Sequence, residues 1–267
     1  MDIIIAIILG ALQGLLEWLP ISSEGQTMLF TINFLGLTPT TALSLALWLH
    51  LGTTGTVLIY FRRDFVSLFN SPINKHLWSL LILSFIGTGL TGIPIWMLLQ
   101  SLFTVFYAGI VSIFIGIMLI LTAVILKRSK TTGDFKSFKN MSYQEMLLLG
   151  IVQGFAILPG ISRSGLTVSF LLIFKFTQTD ALKNSYLVSI PAVIGSILFD
   201  TLFNADEISL LIDPFLISIF ILTAMIIGLI SMHALLKIAN RLDFSSFCLF
   251  LGMLIILIET IGITLTF

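Results

Sequence analysis

Charge is what this chain has least of. Only 10% of its 267 residues are Asp, Glu, Lys or Arg, and thirteen cations balance thirteen anions, so the formal net charge is zero. No basic face is left over for nucleic acid. A single cysteine, Cys248, excludes an internal disulfide and a cysteine-based metal site; it lies in a hydrophobic run and reads as a small core residue. The three histidines, His50, His76 and His233, are too scattered for metal-ligand spacing and read as structural or interfacial. Met1-Asp2 offers no basic n-region and no small-residue cleavage site follows, so the first segment is expected to be retained.

What the chain has in abundance is apolar sequence. Hydrophobic residues make up 57% and mean hydropathy is +1.12, which excludes a soluble domain and defines a polytopic, all-α membrane protein. Ile3–Leu16 meets Glu17 and Pro20 well short of the ~20 residues a crossing needs. The polar turn Ser22-Ser23-Glu24-Gly25-Gln26 follows, then a second short run to Leu37. Two short halves around a polar turn read as a re-entrant hairpin, tolerated at depth only where it lines a protein cavity. The pattern returns at Met146–Leu158 and Leu166–Phe176. Full spans are expected at Leu43–Phe61, Leu77–Leu99, Val105–Leu126, Ser185–Phe203, Phe215–Leu236 and Phe247–Thr266, giving about six crossings plus two hairpins. Pro94 and Pro191, inside spans, are expected to mark kinks.

Basic residues orient this arrangement. Loops 62–75 and 127–139 hold Arg62, Arg63, Lys75, Lys127, Arg128, Lys130, Lys136 and Lys139 and fall on one side, with Lys237 and Arg241. Asp206, Glu207 and Asp213 fall on the other. By the positive-inside rule the basic loops are cytoplasmic, and the N-terminus and loop 204–213 external, in a plasma-membrane protein. The first hairpin then enters from outside and the second from the cytoplasm.

A shift of 140 residues places Leu9-Gly10-Ala11-Leu12-Gln13-Gly14 on Leu149-Gly150-Ile151-Val152-Gln153-Gly154. It also aligns Ile21-Ser22, Gly25, Thr27 and Phe30 with Ile161-Ser162, Gly165, Thr167 and Phe170. Related halves inserted in opposite senses form an inverted repeat, here about 1–126 and 143–267 joined by loop 127–142, in one membrane domain.

The densest polar sequence inside apolar surroundings is Leu158-Pro159-Gly160-Ile161-Ser162-Arg163-Ser164-Gly165-Leu166-Thr167. A charge at membrane depth costs a few kcal/mol, and Pro-Gly backbone leaves amides unpaired, so such a stretch is expected to hold something polar. Arg163 offers a planar fork for phosphate, with hydroxyls at Ser162, Ser164 and Thr167 close by and a glycine-rich turn opening a helix. Glu17, one helical turn after Gln13, could bind a divalent cation, act as a base or neutralise Arg163. Ser22 reads as a helix cap or a phosphate contact, and Ser23 as the more exposed candidate nucleophile. Glu24 would join a phosphate through a cation or face solvent. Gln26 and Gln153 supply neutral hydrogen bonds.

In these residues the chain resembles the undecaprenyl-diphosphate phosphatase, or bacitracin-resistance, family. Pro159-Gly160-Ile161-Ser162-Arg163-Ser164-Gly165-Leu166-Thr167 matches the family's PGxSRSxxT, and Gln13-Gly14-Leu15-Leu16-Glu17 its (E/Q)xxxE element. Trp18-Leu19-Pro20-Ile21-Ser22-Ser23 is similar to its FLPxSS stretch. The resemblance implies inverted repeats with two re-entrant hairpins. It also implies hydrolysis of a polyprenyl diphosphate to the monophosphate and phosphate, recycling the lipid carrier of envelope glycan assembly. By the same resemblance Glu17, Ser23, Arg163, Ser164 and Thr167 fall on positions implicated in substrate handling or catalysis. With the residue chemistry above, Glu17, Ser23 and Arg163 are expected to be catalytic, and Gln13, Ser22, Gln26, Ser162, Ser164, Gly165 and Thr167 to contact substrate. Mg2+ or Ca2+ would sit at Glu17, with Glu24. One departure stands out: after the double serine the family reads TGH, and this chain reads Glu24-Gly25-Gln26, so Gln26 replaces a histidine implicated in catalysis.

Two functions of different class fit these features. One is the phosphatase, its partners a polyprenyl diphosphate and membrane lipids, with a homodimer left open. The other is a polyprenyl-phosphate flippase using the same repeat for alternating access; an ion transporter is a third and weaker fit. Phosphate release from farnesyl diphosphate separates them.

Overall fold

The computed structural model describes residues 2–70, 75–103, 108–128, 135–211, 214–238 and 244–266. Lys130, Asp213 and Arg241 lie outside the described residues, as do the side chains of Asp206, Glu207 and Lys237. Among the described residues the chain is helical, with one isolated bridge between Lys136 and Phe176 and no strand.

The four hairpin helices and the long helix after the first hairpin each begin at a side-chain cap. The Asp2 carboxylate accepts from Ile5 N–H at 2.9 Å to open α1, Ile3–Leu16. Ser22 opens α2, Ser23–Leu35, and Thr38 with Pro39 at its first position opens α3, Pro39–Tyr60. A reciprocal capping box between Ser142 and Glu145 opens α7, Tyr143–Gly154, and Ser162 opens α8, Arg163–Ile173. The longer helices are α5, Lys75–Phe103, α6, Ala108–Arg128, α9, Gln178–Leu211, α10, Pro214–Ile238, and α11, Phe244–Thr266.

Five of them, α3, α5, α6, α9 and α10, are long and apolar enough to cross a bilayer, and α11 adds a sixth apolar helix. Their outward faces carry bare hydrocarbon: Leu90, Leu198, Leu202 and Ile230 are each more than 60% exposed, as is Ile4 on α1, as lipid contact requires. Helix α3 is the exception, buried along most of its length at the centre of the bundle. Helices α5 and α9 run on through Pro94 and Pro191; within α9 the non-helical backbone falls at Asn204 (φ −123°, ψ 25°). An unexpected short helix, α4, Arg62–Asn70, occupies the basic loop, and its Asp64 binds Lys183 of α9 at 2.6 Å.

Packing repeats with the sequence. Helix α1 lies on α10, and α7, its counterpart 140 residues on, lies on α5. Gly14 and Gly154 make both approaches tight enough that a Cβ at either would sit 2.8 Å from a backbone nitrogen, that of Gly228 or of Gly92. Helices α6 and α11 cross where Gly116 faces Gly252.

Candidate active site between two hairpin turns

Helices α1 and α2 form one hairpin and α7 and α8 the other, the second turn passing through a 3-10 turn at Phe155–Ile157. The two turns touch. Ser22 sits in left-handed backbone (φ 59°), and its Oγ accepts from Gly25 N–H at 3.2 Å and from Gly160 N–H at 3.1 Å. Gly160 has φ +97°, where a side chain is strained, and a Cβ there would lie 2.8 Å from that of Met118. Thr122 of α6 braces the second turn, donating to Gly160 O and accepting from Ser162 N–H.

This contact brings Glu17, at the C-cap of α1, against Arg163, the first residue of α8. Arg163 Nη2 donates to Glu17 Oε1 at 2.5 Å. The other oxygen, Oε2, is approached by Ser23 Oγ at 2.7 Å, Gln13 Nε2 at 2.8 Å and His50 Nε2 at 3.2 Å. Glu17, Ser23, Glu24 and His50 are all buried. Removing one member of such a pair strands the other charge, at a cost of about 3–5 kcal/mol.

Two charged groups keep unused capacity. Arg163 donates Nη1 to Ser185 O at 3.3 Å, but its Nε is buried without a partner. Glu24 Oε1 is likewise buried and unpartnered. Both residues face open space. A polar pocket of about 20 Å3 is walled by Glu17, Ser23, Glu24, His50, Arg163 and the neighbouring serines. Glu24, His50 and Arg163 also wall a cavity of about 240 Å3 whose remaining lining is mainly apolar, with Phe85, Ile93, Trp96 and Phe199. A polar end therefore passes into a hydrocarbon-lined space.

The other sequence-derived residues divide into wall and scaffold. Ser162 and Ser164 line the polar pocket and pair with each other at 3.1 Å. Ser22 lines it too while its oxygen joins the turns. Gln13 acts through Glu17. Gly165 N–H is taken by the Ser162 cap, and Thr167 hydroxyl bonds Arg163 O at 2.8 Å and Ser185 Oγ at 2.6 Å; neither residue forms part of the two walls. Gln26 is also off the walls, its amide donating to Ile21 O at 3.4 Å.

His50 corrects the reading of the histidines as scattered structural groups: it stands inside the site. Chain distance hid it, since it lies on α3, 33 residues beyond Glu17. The available signal was an ionisable ring midway along a membrane-spanning helix.

Fold and site together define an all-α, polytopic membrane protein with a charged centre held between two opposed hairpins. The chain matches the family model for Bacitracin resistance protein BacA over residues 6–257, and it belongs to that family. It is 40% identical over 255 residues to an undecaprenyl-diphosphatase of Methanothrix thermoacetophila, covering 95% of this chain and 96% of that one. It is 36% identical over 270 residues to an undecaprenyl-diphosphatase of Saccharolobus islandicus, covering both chains in full. One from Methanococcoides burtonii is 37% identical over 263 residues, covering 94% and 96%.

Proposed function

We propose that this protein hydrolyses undecaprenyl diphosphate or a similar polyprenyl diphosphate to the monophosphate and inorganic phosphate, recycling a lipid carrier. The observation that supports it best is the Arg163–Glu17 pair at the junction of a polar pocket and an apolar cavity, a shape suited to a charged head with a hydrocarbon tail. Arg163, with its unpartnered Nε, takes phosphate oxygens. Ser23, whose hydroxyl already donates to Glu17, is the nucleophile or orients water, and Glu17 receives the proton. Attack forms an O–P bond at the terminal phosphorus, and the bridging P–O bond breaks with its electrons on the departing monophosphate. Attack by water gives inorganic phosphate at once, whereas attack by Ser23 leaves a phosphoserine whose O–P bond a water then cleaves to give it. The pair Ser162 and Ser164 and the α8 N-terminus give the head further donors.

The carboxylate suited to Mg2+ or Ca2+ is that of Glu24. Both Glu17 oxygens are engaged, whereas Glu24 Oε1 is buried and unpartnered. Among the described residues no group of three His, Cys, Asp or Glu surrounds it, so substrate oxygens would complete the shell, as is usual for Mg2+. The cation supplies charge neutralisation to the diphosphate.

Loops 62–75 and 127–139 are assigned to the cytoplasm, and the N-terminus and loop 204–213 to the outside, from their charge. Labelling of single cysteines placed in each loop tests this, the native Cys248 being buried. A homodimer, left open by the sequence, would show as twice the protomer mass in detergent. For the activity itself, purified protein with farnesyl diphosphate and Mg2+ is expected to release phosphate. Binding of a lipid monophosphate with no release would overturn this in favour of a flippase.

A further inference from the structure

His50 has two ring nitrogens and both are spent. Nδ1 lies 2.7 Å from Ala46 O, an atom that can only accept, so Nδ1 bears hydrogen. Nε2 faces Glu17 Oε2 at 3.2 Å. That oxygen already accepts from Gln13 and Ser23, while its twin accepts from Arg163. A carboxylate surrounded by donors is ionised, and a bare lone pair on Nε2 at this distance would repel it, so Nε2 carries hydrogen as well and the ring forms an ion pair with Glu17. Two cations, His50 and Arg163, thus share one carboxylate, and all three side chains wall the polar pocket with the unpartnered Glu24.

Resting on the diphosphatase reading, we propose that His50 is a second cationic ligand for the substrate's phosphates. Its move from Glu17 to phosphate, with that of Arg163, uncovers Glu17 for Ser23. Without substrate, Glu17 is covered by donors and is a poor base. A diphosphate entering the polar pocket competes with Glu17 for the same two cations, because all of them face one space of about 20 Å3. As His50 and Arg163 turn toward phosphate oxygens, Glu17 loses two of the groups that hold it ionised and keeps the Ser23 hydroxyl. Basicity is raised by the arrival of the molecule to be cleaved. No covalent bond changes in this step; the Arg163 hydrogen bond and the His50 ion pair exchange a carboxylate for phosphate oxygens.

The test is titration calorimetry of inorganic diphosphate, at fixed Mg2+, into the full-length protein in detergent. His50→Gln keeps a donor near Glu17 but removes the charge, and is expected to raise Kd roughly 10- to 100-fold. His50→Arg restores a cation and is expected to stay within about threefold of the native Kd. If His50 merely positions Glu17, His50→Gln lowers kcat and leaves Kd unchanged, which overturns the proposal. Should the variants fail to fold, 15N-histidine NMR of the native protein decides. His50 should give two protonated nitrogens, with Nε2 shifting on addition of diphosphate; a neutral or unresponsive ring refutes it. Phosphate release by the native protein tests the diphosphatase reading separately.

Discussion

The hydroxyl oxygen of Ser22 accepts the N–H of Gly160 at 3.1 Å, joining two turns 138 residues apart in the chain. The Arg163–Glu17 distance depends on that junction, because Glu17 precedes one turn and Arg163 follows the other. Ser22→Ala strands two buried N–H groups, those of Gly160 and Gly25, at about 1–3 kcal/mol. Gly160→Ala adds strain at positive φ. Both variants should melt lower in detergent and lose phosphate release together, and a variant with native Tm and native rate would refute the junction's importance.

Arg163→Ala leaves Glu17 without its closest cation. Phosphate release is expected to fall by ~10² or more, the scale for losing one electrostatic contact to a transition state. Glu17→Ala should fall as far. If the two act as a unit, the double variant should be little worse than either, as a double-mutant cycle on kcat/KM will measure.

Gln26→His restores the family's residue at a position whose side chain turns toward Ile21 O, away from both walls. The expected change in kcat is well short of the ~10² that a placed general acid–base group contributes. A gain of that size would show that position 26 reaches the reacting atoms.

The apolar cavity is open to a steric test at Gly195, where a Cβ would lie 2.5 Å from Phe85 Cε2 and the ring would have to shift. Gly195→Phe should fill that wall. For a long polyprenyl diphosphate KM is expected to rise about tenfold, equal to ~1.4 kcal/mol, with a smaller change for the shorter farnesyl compound. Equal effects on both would place the tail elsewhere.

At the membrane edge, Glu145 caps α7 and accepts Lys136 Nζ at 2.6 and 2.7 Å. Partial burial alone would raise its pKa. The bonds from Lys136 and the Ser142 backbone win, and hold it below the usual carboxylate range. A folded-state pKa lowered in this way adds stability above the unfolded value, near 4.5, that drains as pH falls through the folded one. Protection of the amides at the start of α7, taken relative to the intrinsic exchange rate at each pH, should fall over that acid interval, and Glu145→Gln should remove the dependence.

The sequence carried the fold well because its signals were local. Pro20 and Pro159 break apolar runs, Ser22, Ser142 and Ser162 cap the helices that follow, and the 140-residue spacing of Gly10-Gly14 and Gly150-Gly154 foretold two equivalent helix contacts. The Arg163–Glu17 meeting was legible for a related reason: each is a charge that apolar surroundings cannot hold alone. What escaped was side-chain direction. Thr167 and Gln26 sit in polar motifs yet bond their own backbone, and His50 enters from a third helix. Helix α4 escaped because nine residues of mixed polarity in a basic loop give little to distinguish a helix from a tether.

Subtracting 140 from Arg163 gives Ser23, and each is the first residue of its helix. One geometric address, duplicated, thus holds a hydroxyl in one copy and a guanidinium in the other, while Glu17 maps onto the hydrocarbon of Ile157. A twofold assembly of identical halves would own two hydroxyls or two guanidiniums at that address and never one of each. The division of labour between the copies is what makes a single chain of both halves worth more than a pair of either.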